Sequence, residues 1–179
     1  KIEEEYAPIF AAHYDKIYLN SKLLNRIKAV KTDGLDLEDK RLIEVYKQKF
    51  ELAGANLTDA QKEQMKTINA ELATLSTQFS SKLLEARKKG AVLFDNVKDL
   101  EGLSADEIAA AATDAKNAGY EGKYLLTLLN TTQQPLLQNL KNRATREKLY
   151  KASWYRAEKG DENDTRATLE KMAKLRMDK

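Results

Sequence analysis

Apolar residues recur every three or four positions from Glu3 to about Val30, the spacing that collects one face of an α-helix. A break around residues 18–21 divides that stretch, and Asn20 or Ser21 is placed to cap a second helix. Asp33-Gly34 reads as a turn. A third helix is expected from Asp36, turning Leu42, Val45, Tyr46 and Phe50 inward until Gly54, a residue type that accepts the left-handed backbone of a helix end. Thr58 and Gln61 have capping-box spacing. Behind them Met65, Ile68, Leu72, Leu75, Phe79 and Leu83 follow at steps of three or four, with no Gly or Pro before Gly90. At ~1.5 Å per residue this is a rod on the order of 45 Å long, and Arg87, Lys88 and Lys89 suit the negative end of its dipole.

The pattern then changes. Ala91 to Phe94 is a short apolar run between Gly90 and Asp95-Asn96 and reads as a strand; Lys123 to Leu129 is a second, and the two are expected to pair as a ribbon. Between them Ser104 and Glu107 form another capping box, opening an Ala-rich helix over Ile108 to Ala118 that stops at Gly119. Pro135 fits the first turn of a helix, and Asn142 can cap the next, which carries Leu149, Ala152, Ser153 and Trp154. A last helix is expected from Asn163 or Asp164. The fold class is therefore mostly α: a multi-helix assembly with one long antiparallel helical rod and a small two-stranded β ribbon. No repeat, low-complexity tract or linker divides the chain, so 1–179 reads as a single helical domain or as a fragment of something larger.

Composition narrows the function classes. Hydrophobic residues at 42% and charged residues at 33%, with seven Gly and two Pro, describe a chain that buries a core rather than a disordered one. A formal charge of +3 is too balanced for a dedicated nucleic-acid or membrane-surface role, so neither partner is expected. No apolar run approaches the ~18 residues of a membrane span. The absence of Cys removes disulfides and thiolate metal sites but does not identify a compartment. The chain opens on Lys and closes inside an apolar rhythm (Leu169, Met172, Leu175), so both ends read as cut.

Little classical catalytic chemistry is on offer. A zinc hydrolase wants two imidazoles four residues apart plus a carboxylate, and this chain has one His, His13, expected as a packed or surface side chain. Asp161 to Thr165 resembles a calcium loop briefly, but the positions that need Gly and Glu hold Arg166 and Met172, leaving a helix start. Gly119 and Gly122 do not make a phosphate loop, and Ser81-Lys82 reads as helix surface. Two features remain. Asn130, Thr131, Thr132, Gln133 and Gln134 follow an apolar strand with uncharged donors and acceptors, which suit a peptide main chain; the plain alternative is an ordinary strand-to-helix turn. Arg143, Arg146, Tyr150 and Trp154 stand three, four and four apart on one helix face, where intramolecular pairing is favoured over nucleic-acid binding because Glu147, Glu158 and Asp161 are near.

Several stretches together resemble the region upstream of the zinc motif in bacterial peptidyl-dipeptidases of the thimet-oligopeptidase and oligopeptidase A type. They are Phe10 to Ile27, Glu51 to Leu84, Tyr124 to Arg166, and Leu175-Arg176. The block from Tyr124 to Arg166 is the most specific, because its amide-rich turn, Arg-x-x-Arg helix, Ala-Ser-Trp and Gly-Asp-x-Asn-Asp order is not one that helical propensity alone generates. The resemblance implies a parent zinc metallopeptidase whose two largely helical lobes enclose a deep channel and which releases C-terminal dipeptides from oligopeptides. It implies a His-Glu-x-x-His helix and a later Glu beyond Lys179, so this segment itself would hold no zinc, no other cofactor and no catalytic residue. Its expected partners are the remaining catalytic half of the same polypeptide and, in the parent, an oligopeptide substrate. Asn130 to Gln134 are expected along the channel wall, and the Arg143, Arg146, Tyr150 and Trp154 face at the docking of the two lobes. A bacterial setting is implied, cytoplasmic or periplasmic. The competing expectation is a free-standing helical interaction module that offers the apolar stripe of the rod to a partner.

Overall fold

The computed structural model describes residues 2–131 and 134–179. The helices in chain order are α1 (Ile2–Tyr18), α2 (Ser21–Lys28), α3 (Leu37–Ala53), α4 (Asp59–Lys89), α5 (Ala105–Asn117), α6 (Leu136–Asn139), α7 (Arg143–Trp154) and α8 (Arg166–Asp178), with a 3-10 turn at Val97–Leu100. Strands β1 (Val92–Phe94) and β2 (Tyr124–Leu126) pair antiparallel, with Val92 opposite Leu126 and Phe94 opposite Tyr124. The mostly helical class with one long rod and one small ribbon is thus what the structure has. The described residues form two compact units, one within Lys1–Gln78 and Glu170–Lys179, the other Phe79–Leu169; α4 and α8 contribute residues to both.

In the first unit the caps lie where the polar punctuation puts them. Asn20 accepts the Leu23 N–H at 3.0 Å and Asp36 accepts the Asp39 N–H at 2.8 Å. Gly54 ends α3 at φ +102° with its N–H returned to Glu51, the left-handed exit that a β-carbon would strain. Leu24, Phe50 and Ala55 are buried together, with Ile17, Tyr18 and Ile27 packed against them. The inward face expected for α3 needs correction. Phe50 is buried and Val45 half-buried, but Leu42 is 54% and Tyr46 41% exposed. Both line an open apolar groove with Ile17, Tyr18, Leu23, Ile27, Val30 and Ile43, because α1 and α2 cover only the C-terminal part of α3. The groove is about 380 Å³. Asn69 on α4 donates to Asp15 on α1 at 2.7 Å and accepts from Lys179, just past α8, at 2.8 Å, so one amide ties α4 to α1 and to the chain end.

The second unit is built around the ribbon. Val92, Phe94, Leu100, Leu103, Ala111, Leu126, Leu128, Leu140 and Leu149 form its core, and Leu149 at 1% exposure is worth roughly 2 kcal/mol of burial. The Ser104/Glu107 capping box forms in full, and α5 begins at Ala105, three residues before the first apolar position that sequence periodicity picks out. β2 is shorter than expected, since only Tyr124 to Leu126 pair with β1. α7 is fixed to the 3-10 turn and the ribbon: Thr145 donates to the Asp99 carbonyl at 2.8 Å and Lys148 to the Leu93 carbonyl at 3.0 Å, with Lys148 also lying 4.8 Å from the Phe94 ring centroid.

One glycine sets how closely two backbones approach. Gly102 has φ +103°, and a β-carbon there would stand 2.0 Å from the Asn139 carbonyl oxygen, while Lys141 N–H donates to Glu101 at 2.8 Å alongside. Gly102→Ala is therefore expected to destabilise the second unit by about 2 kcal/mol or more, since backbone strain and a backbone clash add. Chemical denaturation followed by Trp154 fluorescence reads this directly; a midpoint equal to that of the parent would refute the close approach.

Candidate functional site

The amide-rich run leaves β2 through Leu128, which is buried, and Leu129, which is not. Asn130 and Thr131 are exposed, whereas Gln134 is 5% exposed. Thr132 and Gln133 lie outside the described residues. Gln134 is spent inward: its Oε1 accepts the Leu129 N–H at 3.1 Å, and its Nε2 donates to the Thr131 carbonyl at 2.8 Å and to Ser153 Oγ at 3.0 Å. Arg156 clasps the same turn from the end of α7, its Nη1 donating to the carbonyls of Leu129 at 2.7 Å and Thr131 at 3.4 Å. The three described positions thus divide by structure: Asn130 and Thr131 are exposed, and Gln134 holds the backbone beside them from within.

Beside Asn130 the turn borders a cleft of about 230 Å³ lined by Ser80, Leu83, Leu84, Arg87, Asn130 and Arg156. The three basic residues closing α4 have separated roles. Lys88 pairs with Glu85 at 2.9 Å and Lys89 with Glu162, but Arg87 turns to the cleft. Arg156 is 8% exposed. Sequence reading did not single it out, because Tyr155-Arg156-Ala157 carries no motif; only its three-dimensional return to residues 129 and 131 reveals it.

On α7 the aromatic pair stacks, and Arg146 finds its partners within the chain. Tyr150 and Trp154 stack with centroids 5.7 Å apart and planes 18° apart, both about half exposed. Arg146 donates to the carbonyls of Leu140 at 2.8 Å and Lys141 at 2.6 Å rather than to a carboxylate, closing the α6–α7 corner. Glu147 pairs with Lys151 at 2.6 Å, and Arg143 lies exposed at the start of the helix.

The acidic stretch before α8 is a helix start, as its chemistry suggests. Asp164 accepts from Gly160 N–H at 2.8 Å and from Arg166 N–H at 3.0 Å, and Asn163 accompanies it as a buried residue. The helix itself begins at Arg166, two residues past Asp164, because Asp164 works as a bracket around the loop. The Arg166 guanidinium holds the Asp164 carboxyl well below the usual carboxylate range, helped by the Arg166 backbone N–H. Among the described residues no three His, Cys, Asp or Glu side chains gather where a metal could sit. His13 is exposed and meets Tyr14 edge-on, with centroids 6.3 Å apart. These residues do not fit a zinc ion. No described helix is long and apolar enough to cross a membrane.

The described residues define a class: a mostly helical chain with one long helix and one two-stranded antiparallel ribbon. Sequence comparison supplies the particular kin. No family model matches the chain. It is 45% identical over 98% of its length to a dipeptidyl carboxypeptidase of Escherichia coli (strain K12), 44% identical to the protein of the same name in Salmonella typhimurium, and 32% identical to a probable cytosolic oligopeptidase A of Arabidopsis thaliana. The resemblance to bacterial peptidyl-dipeptidases is borne out: along nearly its whole length the chain is similar to dipeptidyl carboxypeptidases and oligopeptidase A proteins. It spans about a quarter of the length of these relatives (26%).

Two outcomes follow for the turn and the loop. Gln134→Ala removes the acceptor of the Leu129 N–H and one of the contacts made by the Thr131 carbonyl and by the Ser153 hydroxyl, and is expected to destabilise the second unit by about 2 kcal/mol in chemical denaturation. For Asp164 the folded carboxyl titrates lower than the unfolded one, so its stabilisation is present above the unfolded pKa of about 4 and is lost as pH falls through the folded value. The Tm advantage of the parent over Asp164→Asn should be constant from pH 7 to 5 and shrink below about pH 4. A difference that stays the same down to pH 2 would contradict this.

Proposed function

We propose that this chain is the non-catalytic helical segment of a peptidyl-dipeptidase that releases C-terminal dipeptides from oligopeptides, where it forms part of the substrate-channel wall and a scaffold for the catalytic half. The observation that carries this is the 45% identity over 98% of the chain to a dipeptidyl carboxypeptidase, joined to the lack of a metal-ligand cluster among the described residues. In this reading zinc belongs to the rest of the polypeptide. Asn130 and Thr131, exposed on a turn anchored from behind by Gln134 and Arg156, face an oligopeptide and satisfy its main-chain groups without regard to its sequence. The stacked Tyr150 and Trp154, with Arg143 beside them, meet the catalytic half, and Arg146 stiffens the corner from which they project.

The test is made in the full-length polypeptide. Replacing Asn130 and Thr131 together by Ala is expected to lower kcat/KM for a tetrapeptide about fivefold while leaving Tm within a degree or two. Unchanged turnover would remove the turn from the channel. Trp154→Ala is expected to lower thermal stability of the full-length protein with kcat/KM per folded molecule retained; loss of turnover in a fully folded protein would instead put that face at the substrate.

A further inference from the structure

The cleft beside Asn130 holds an electrostatic imbalance. Arg156 is buried, only 8% exposed, yet its partners among the described residues are two carbonyl oxygens, and no carboxylate among them pairs with it. A buried guanidinium ordinarily has a counter-charge, because two carbonyl dipoles do not offset the loss of hydration around a full charge. Only Nη1 is used; Nε and Nη2 have no protein partner among the described residues and yet are not sealed from solvent. Arg87, half-buried on the opposite wall, likewise has no ion pair or hydrogen bond among the described residues, although its neighbours Lys88 and Lys89 both do. Asn130 adds an amide, and Leu83 and Leu84 make the remaining surface apolar. Two unmatched guanidinium groups and an amide around about 230 Å³ form a receptor for a planar anion the size of a carboxylate, with room for a few carbon atoms.

We propose that this cleft binds a carboxylate carried by a peptide ligand, Arg87 and the free edge of Arg156 pairing with its oxygens while Leu83 and Leu84 take up the adjoining carbons. The proposal deepens the reading given above, since Asn130 belongs both to the cleft and to the turn assigned to the channel wall. The carboxylate is either the side chain of an acidic residue or the free C-terminus of the peptide, and matched peptides separate the two.

Binding is measured in the full-length protein by fluorescence anisotropy, which needs no turnover. The probes are a labelled tetrapeptide containing Glu, its Gln counterpart, and the C-terminally amidated form of each. The parent is expected to bind at least one carboxylate-bearing peptide about tenfold more tightly than the form lacking that carboxylate. Arg87→Gln should reduce the ratio to near one, and raising the salt concentration should narrow it. Arg156→Lys, which keeps the charge but loses the fork, should reduce it in part. Equal affinity for all four peptides in the parent overturns the proposal, as does a preference that survives in Arg87→Gln. Equal affinity together with a lowered Tm for Arg87→Gln would show that a carboxylate of the same polypeptide occupies the cleft, which also overturns it. Peptide binding without carboxylate discrimination removes this inference and leaves the channel-wall reading intact, whereas absence of any peptide binding removes both.

Discussion

Irregular backbone next to a core persists only if its N–H and carbonyl groups find partners, and in this chain that constraint falls on the N–H and carbonyl of Leu129 and on the carbonyl of Thr131, where the chain leaves the ribbon. Two side chains meet it. Gln134 supplies an acceptor and a donor from within the turn, and Arg156 reaches back from the end of α7 to bind the carbonyls of Leu129 and Thr131. The same contacts join the exit of the ribbon to α7, because Ser153, one turn from Arg156, receives the second Gln134 N–H. What the turn shows outward, Asn130 and Thr131, depends on this inward arrangement. So does the cleft, whose Arg156 wall is positioned by the bonds that leave its other edge unused.

The surface of the first unit follows from a different balance. α2 and α3 meet over a cluster of Leu24, Phe50 and Ala55, and Leu19, Met65, Leu75 and Met172 are also buried in this unit. These do not take in every apolar residue that helical periodicity places on α1 and α3. Tyr6, Phe10 and Tyr14 are exposed on α1, as are Leu42 and Tyr46 on α3.

Periodicity reports which residues of a helix share a face, but not whether a neighbour arrives to cover that face. That is why the boundaries of α2, α3, α4 and α5 were legible from Asn20, Asp36, Gly54, Thr58 and Ser104, while the burial of Leu42 and Tyr46 was not. Capping is local chemistry, decided within about four residues, whereas burial depends on elements far away in sequence. The family resemblance was legible for a related reason: the order of turn, Arg helix and acidic loop from Tyr124 to Arg166 records contacts that helical propensity does not require.

The sequence by itself determined the helices, their caps and the ribbon, because each is written in residue type and short spacing. It also marked Asn130 to Gln134 as a polar run. Only the tertiary structure decided that Gln134 turns inward while Asn130 turns outward, that Arg146 serves carbonyls at its own corner, and that Arg156 and Arg87 flank one cleft. Those outcomes hinge on backbone groups left over when strands and helices stop, and on residues about 70 positions apart meeting in space. No local pattern encodes either.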